Sequence, residues 1–92
     1  MTIYLEQTSI CYPEQYDAYL NEEPIKRRED GLVGYLRLRN GHFTVEVPDV
    51  GGELVYEYEF DEGDKGFFED DEREYYLNKA KEAILQWVKA KK

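Results

Sequence analysis

The chain of 92 residues is poor in the side chains that most enzymes use, with one cysteine, one histidine and one serine. A lone Cys11 cannot form an internal disulfide. This excludes a fold stabilised by disulfides, which are typical of proteins in oxidising compartments. A Ser–His–Asp triad would need Ser9 and His42 to meet in space, and a zinc site that used Cys11 and His42 would need carboxylates for all its other ligands. We therefore expect no enzymatic activity, no catalytic residues, no metal, no cofactor and no small-molecule substrate.

Long apolar runs are also missing. No segment approaches the roughly 18 to 20 apolar residues that span a bilayer, and the N-terminal segment reaches a charge at Glu6. These features predict a cytoplasmic protein with no signal peptide and no membrane contact. The length suits one compact domain with one core, which we place at residues 1–92, and is too short for two.

Alternating apolar and polar residues predict strands near the start of the chain. Residues 2–8 alternate with the period of a half-buried strand. The next segment, 13–23, is ambiguous. Pro13 suits the first turn of a helix, but the residues after it also fit a strand that turns at 21–23. We slightly favour the strand.

A β-hairpin is the clearest local prediction. Asn40-Gly41 favours a two-residue type I′ turn, and residues 32–39 and 42–47 on either side have strand patterns. This turn sets the register. The predicted cross-strand pairs are Arg39 with His42, Leu38 with Phe43, Arg37 with Thr44, Leu36 with Val45 and Tyr35 with Glu46. The side chains that then face the core are Leu36, Leu38, Phe43, Val45 and Val47.

The second half of the chain predicts one more strand, a loop and a helix. Residues 54–60 alternate again, and residues 61–68 contain two glycines and no period. Residues 70–91 carry an amphipathic stripe, with acids in the first turn and lysines in the last. The predicted fold class is α+β, an antiparallel β-sheet of four to five strands covered on one face by a C-terminal α-helix. On the last strand, the side chains expected to face the core are Leu54, Tyr56, Tyr58 and Phe60.

Negative charge is concentrated in one stretch. The net charge of −9 opposes binding of nucleic acid or an anionic membrane by the molecule as a whole. Residues 57–74 contain ten acids and two bases, a charge of −8. These acids either bind a partner or form a solvated face that only keeps the protein soluble. We name them the acidic edge: Glu57, Glu59, Asp61, Glu62, Asp64, Glu69, Asp70, Asp71, Glu72 and Glu74.

An acidic surface of this size suits a groove lined with Arg and Lys that normally tracks phosphates. In size, acidity and lack of catalytic groups, the chain resembles the small phage-encoded proteins that block host defence or nucleic-acid machinery, among them anti-CRISPR proteins and DNA mimics. The resemblance lies in composition and assigns no individual residue. It implies a non-enzymatic inhibitor whose partner is a protein with a basic surface or a nucleoprotein.

The outward side of the hairpin has the opposite charge. Rings and guanidinium groups in combination stack on bases and hold phosphates, so an alternative function is contact with nucleic acid or a ribonucleoprotein. The arginines could instead pair with Glu46, Glu57 or Glu59 across the sheet. A third possibility, which the nine tyrosines indicate, is a structural module that self-associates, and the oligomeric state is left open. We name this surface the arginine face: Tyr35, Arg37, Arg39 and His42, with Lys26, Arg27 and Arg28 just upstream.

Overall fold

The computed structural model describes residues 3–9, 13–20 and 31–90, and these residues form an α+β fold. Five strands make one antiparallel sheet in the order β1-β2-β3-β4-β5, and a C-terminal helix packs against it. The predicted fold class is therefore confirmed, with five strands. The elements are β1 (Ile3–Ser9), β2 (Glu14–Leu20), β3 (Leu32–Arg39), β4 (His42–Val47), β5 (Glu53–Glu59) and α1 (Asp70–Ala90).

The hairpin formed by β3 and β4 has the predicted turn and register. Asn40 and Gly41 have φ angles of 53° and 75°, as the two central residues of a type I′ turn require. All five predicted cross-strand pairs are present. The ambiguous segment forms the strand β2, which pairs with both β1 and β3. Its expected turn at 21–23 lies outside the described residues, as does Cys11.

The prediction for β5 is wrong for Leu54, and Tyr58, although it is on the core face, is 44% exposed. Leu54 is expected on the core face together with the aromatic residues that follow it. Tyr56 does pair with Val45, but the register then shifts and Leu54 pairs with Glu46 on the outer face. Leu54 is consequently 45% exposed, while Val55 packs against the core. A single extra residue in one strand reverses the facing of every residue beyond it.

The core lies between the sheet and α1. Gly34 on β3 lets the helix approach, because a Cβ atom there would lie 2.9 Å from Cδ1 of Ile84. Burial of each large apolar side chain stabilises the fold by about 1.5 to 3 kcal/mol. The five core residues predicted for the hairpin are all buried. The buried cluster contains Ile3, Tyr16, Ala18, Leu36, Leu38, Phe43, Val45, Val47, Phe68, Ala80, Ile84 and Val88.

The helix α1 begins at an N-terminus that its own acids stabilise. The N–H of Glu69 donates a hydrogen bond to the Glu72 carboxylate at 2.7 Å, which is one half of a capping box. Asp70 and Asp71 add negative charge to the first turn, where the helix dipole favours it. In the part of the chain that the structure describes, no helix combines the length and apolarity needed to cross a membrane.

Candidate functional site

The loop between β5 and α1, residues 60–69, lies across one end of the sheet. The N–H of Gly41 in the hairpin turn donates to the carbonyl of Lys65 at 2.7 Å. The N–H of Glu14, at the start of β2, donates to the carbonyl of Gly66, also at 2.7 Å. These bonds bring the loop, the hairpin turn and the start of α1 to the same end of the molecule. The loop and α1 together carry eight of the ten residues of the acidic edge, and β5 carries the other two.

The buried carboxylate of Glu14, on β2, is hydrogen-bonded to both the loop and α1. Glu14 is 2% exposed. Its Oε1 atom accepts a hydrogen bond from the N–H of Phe68 at 2.9 Å. Arg73 donates from Nε to Oε2 at 2.9 Å and from Nη2 to Oε1 at 3.2 Å. The hydroxyl of Tyr16 donates to the same carboxylate. The side chain of Glu14 therefore joins β2, the loop and α1.

The hydrogen bonds to Glu14 decide its charge state. Burial by itself would raise the pKa of Glu14, but the bonds from Arg73, Tyr16 and the Phe68 N–H outweigh burial and lower it. Burial and the adjacent carboxylate raise the pKa of the Tyr16 hydroxyl. Bonds to Glu14 and to Asp70 raise the pKa of Arg73. The carboxylate and the guanidinium are thus both charged at neutral pH, and the partly exposed Arg73 neutralises the buried Glu14.

The second base of the acidic stretch, Lys65, is also turned inward. Its side chain is 8% exposed, and its Nζ lies 2.7 Å from Oε2 of Glu72 and 3.6 Å from Oε2 of Glu62. The same Nζ lies 5.0 Å from the centroid of the Phe60 ring. Burial alone would lower the pKa of Lys65, but the bond to Glu72 and the nearby acids raise it. Burial would raise the pKa of Glu72, but its bonds to Lys65 and to the Glu69 N–H lower it.

The acids of the edge fall into two groups. Four of them have a basic partner: Glu62 and Glu72 pair with Lys65, Asp70 pairs with Arg73 at 2.7 Å, and Glu57 is hydrogen-bonded to Nε2 of His42. The others are exposed and make no ion pair within the described residues. Since both bases lie partly or wholly beneath this surface, the exposed carboxylates dominate its charge. The exposed and unpaired acids are Glu59, Asp61, Asp64, Glu69, Asp71 and Glu74.

The structure brings part of the predicted arginine face together. Tyr35, Arg37 and Arg39 on β3 and His42 on β4 point to the side of the sheet opposite α1, as the register requires. The segment 26–28, which contains the other three predicted residues (Lys26, Arg27 and Arg28), lies outside the described residues. Beside the hairpin turn the face contains a depression. Its lining residues are Arg37, Arg39, Asn40, His42, Thr44 and Glu59.

The cross-strand ion pairs expected for the two arginines are absent among the described residues. Strand β4 lies between β3 and β5, so the acids of β5 are roughly 10 Å away across the sheet. Glu57 instead lies 2.7 Å from Nε2 of His42. Glu46 accepts a hydrogen bond from the N–H of Gly51 at 3.2 Å. Closer donors thus engage two of the three acids that were expected to neutralise the arginines.

The structural role of Glu14 was not predicted, although the sequence contained a signal. Residues two apart on a strand share a face, so Glu14 lies on the core face with Tyr16 and Ala18. An acid at such a position needs a buried cation as partner. Nothing local identifies Arg73 as that cation, because it lies 59 positions further along the chain.

The described ranges offer no metal centre, since no group of three or more His, Cys, Asp or Glu side chains there is placed to hold an ion. The two surfaces of opposite charge are therefore the candidate sites. They lie next to each other, because Glu57 and Glu59 of the acidic edge are paired on the sheet with Thr44 and His42, respectively.

The chain has no match among protein-family models, curated proteins or solved structures.

Proposed function

We propose that the chain is a non-enzymatic binding protein that inhibits a nucleic-acid-handling or host-defence protein by placing the acidic edge on a basic surface of that protein. The observation that carries this proposal is the inward direction of Lys65 and Arg73. The ion-pair partners of these two bases are Glu14, Glu62, Asp70 and Glu72. The six exposed and unpaired acids of the edge therefore have no cation partner among the described residues. What a partner meets at this end of the molecule is a surface of exposed acids.

Concentrating the acids at one end of the molecule lowers the stability of the fold, and a surface that served only solubility would not require this arrangement. Like charges gathered at one end repel each other and destabilise the fold. The N-terminus of α1 offsets part of this repulsion, but only within its first turn. A solubilising role is served as well by acids spread over the molecule. Carboxylates gathered on an ordered loop instead resemble the row of phosphates that a basic groove binds, and they speed association with it.

The acidic edge offers substitutions that leave every described ion pair in place. The double variant Asp64→Asn/Asp71→Asn removes two exposed carboxylates from the loop and the helix start. The matched control, Glu53→Gln/Glu82→Gln, removes two exposed carboxylates from the far part of β5 and from the middle of α1. Both variants change the net charge by the same amount, so any difference between them reports the position of the charge.

The first experiment is a capture of partners from nuclease-treated cell lysate on the immobilised protein, at about 0.15 M and 0.5 M salt, where screening weakens exposed charge contacts. Each retained protein is purified, and its affinity for the wild type and both variants is measured. We expect the edge variant to weaken binding by about fivefold or more and the control to change it by less than twofold. Reversing four or more acids of the edge to lysine should abolish binding with the fold intact.

Competition with DNA tests the mechanism. A partner held through its phosphate-binding groove should release the protein when DNA is added, and the protein should in turn inhibit DNA binding by that partner. Equal loss of affinity in the edge variant and the control would contradict the proposal. A parallel capture from untreated lysate serves as the comparison, and partners retained only there would also contradict the proposal, because nucleic acid would then form the contact.

A further inference from the structure

A second candidate site lies in the depression beside the hairpin turn, on the outer face of the sheet. It has a volume of about 440 Å³. Its base is formed by the last pairs of the hairpin, Arg39 with His42 and Arg37 with Thr44. The turn at one end of the hairpin and the five-stranded sheet beneath it hold these backbones in place. The hairpin and the sheet therefore fix the backbone positions of the residues that line the depression.

The two guanidinium groups in this depression are available for an anion. Neither has a carboxylate partner among the described residues. Arg37 and Arg39 are two residues apart on one strand, so their backbones are roughly 6.6 Å apart and their side chains share a face. Each guanidinium presents a planar fork of donors that matches two oxygens of a phosphate group. Two such forks on one face supply enough donors for a tetrahedral oxyanion, and the hydroxyl of Thr44, which lines the same depression, is a further donor.

The depression also contains a hydrogen-bond acceptor. Glu59 lines it, is exposed, and makes no ion pair within the described part of the chain. Glu57 lies close by, on the nitrogen of His42. These carboxylates and the net charge of −9 repel a ligand that offers negative charge alone, and they repel a long polyanion most strongly. A ligand that also carries hydroxyl or amino donors meets the acceptor instead of being repelled by it.

We propose that this depression binds a mononucleotide, with Arg37 and Arg39 holding the phosphate and Glu59 accepting a hydrogen bond from a sugar hydroxyl or a base amine. The ligand is bound and not chemically changed. The site uses residues of β3 and β4 together with one residue of β5, and it does not depend on the acidic edge having a protein partner.

The test is a titration of the isotope-labelled protein with adenosine 5′-monophosphate, inorganic phosphate and a ten-residue thymidine oligonucleotide, followed by NMR at low salt. We expect saturable shifts of the amides of residues 37–44 with the mononucleotide. The variant Arg37→Gln/Arg39→Gln should weaken this binding by about tenfold or more, because both phosphate forks are lost. The control Lys81→Gln/Lys89→Gln makes the same change in net charge on α1 and should alter affinity by less than about twofold.

Glu59→Gln tests the second half of the proposal. Removing this carboxylate should strengthen binding of inorganic phosphate, because a like charge is lost, and should reduce the preference for the mononucleotide. The absence of saturable shifts with the mononucleotide, or unchanged binding in the arginine variant, would overturn the proposal. Equal affinity for inorganic phosphate and the mononucleotide would overturn the assignment to a nucleotide. An oligonucleotide that binds more than about tenfold tighter than the mononucleotide would show a nucleic-acid contact instead.

Discussion

Replacing Glu14 by glutamine should be among the most destabilising single changes in a polar residue of this protein. The substitution keeps the volume of the side chain but removes its charge and places an amide group against donors from Arg73, Tyr16 or Phe68. Removing one partner of a buried ion pair costs about 3 to 5 kcal/mol, because the remaining charge is left uncompensated. Arg73 is 32% exposed and keeps its bonds to Asp70 and to the carbonyl of Phe68, so we expect a loss of about 2 to 3 kcal/mol.

Urea unfolding at pH 7, followed by the fluorescence of Trp87, measures this loss. With a denaturant dependence of roughly 1.3 kcal/mol per molar urea, the midpoint should fall by about 2 M. Glu57→Gln is the control, since it breaks an exposed pair with His42 and should cost about 0.5 kcal/mol or less. If Glu14→Gln were no more destabilising than this control, the conclusion that Glu14 fastens the loop and α1 to the sheet would be wrong.

Two further predictions concern pH and the glycines. The folded protein lowers the pKa of Glu14 and of Glu72 below 4.5, so both acids stabilise the fold above that pH and lose this effect as the pH falls through their folded values. Urea unfolding between about pH 3 and pH 6 should show a steep loss of stability in the wild type and a shallower one in Glu14→Gln. Gly41→Ala should cost about 3 kcal/mol or more, because φ is 75° and the new Cβ would collide with the carbonyl oxygen of Glu62. Gly51→Ala has a similar φ of 84° but open space around it, so thermal unfolding should show a loss of only about 1 kcal/mol, and equal losses would disprove the close contact at Gly41.

Most of the fold was predictable because its signals are local. Asn40-Gly41 specifies a turn whose geometry determines every pair of the hairpin that follows from it. The position of α1 follows from its apolar stripe and its acidic first turn. Leu54 was misplaced for a reason that lies outside its own strand. The register shift beside Glu46 depends on how β4 and β5 pair with each other. The alternation of apolar and polar residues within β5 alone does not predict such a shift.

The sites were predictable to a smaller extent. Composition locates the acidic edge, but it does not show that Lys65 and Arg73 turn inward, because their partners come from the loop, from α1 and from distant β2. The ion pairs considered for Arg37 and Arg39 are absent because β4 separates them from Glu57 and Glu59, and because Glu57 and Glu46 accept hydrogen bonds from other donors. Which side chains form ion pairs depends on all the neighbours that surround them in the folded protein. The sequence identifies possible partners but not which of them pair.

The backbone bonds that join residues 60–69 to Gly41 and Glu14 have a kinetic consequence. Ordering a free loop on binding would cost about 1 to 2 kcal/mol for each residue fixed. The backbone of this loop has lost that freedom during folding, so the Cα positions that carry its acids are set before any partner binds. For the basic partner that we propose, we expect association to be limited by diffusion and electrostatic attraction and not by a conformational search. Added salt should therefore slow association strongly, while the lifetime of the complex, once formed, changes little.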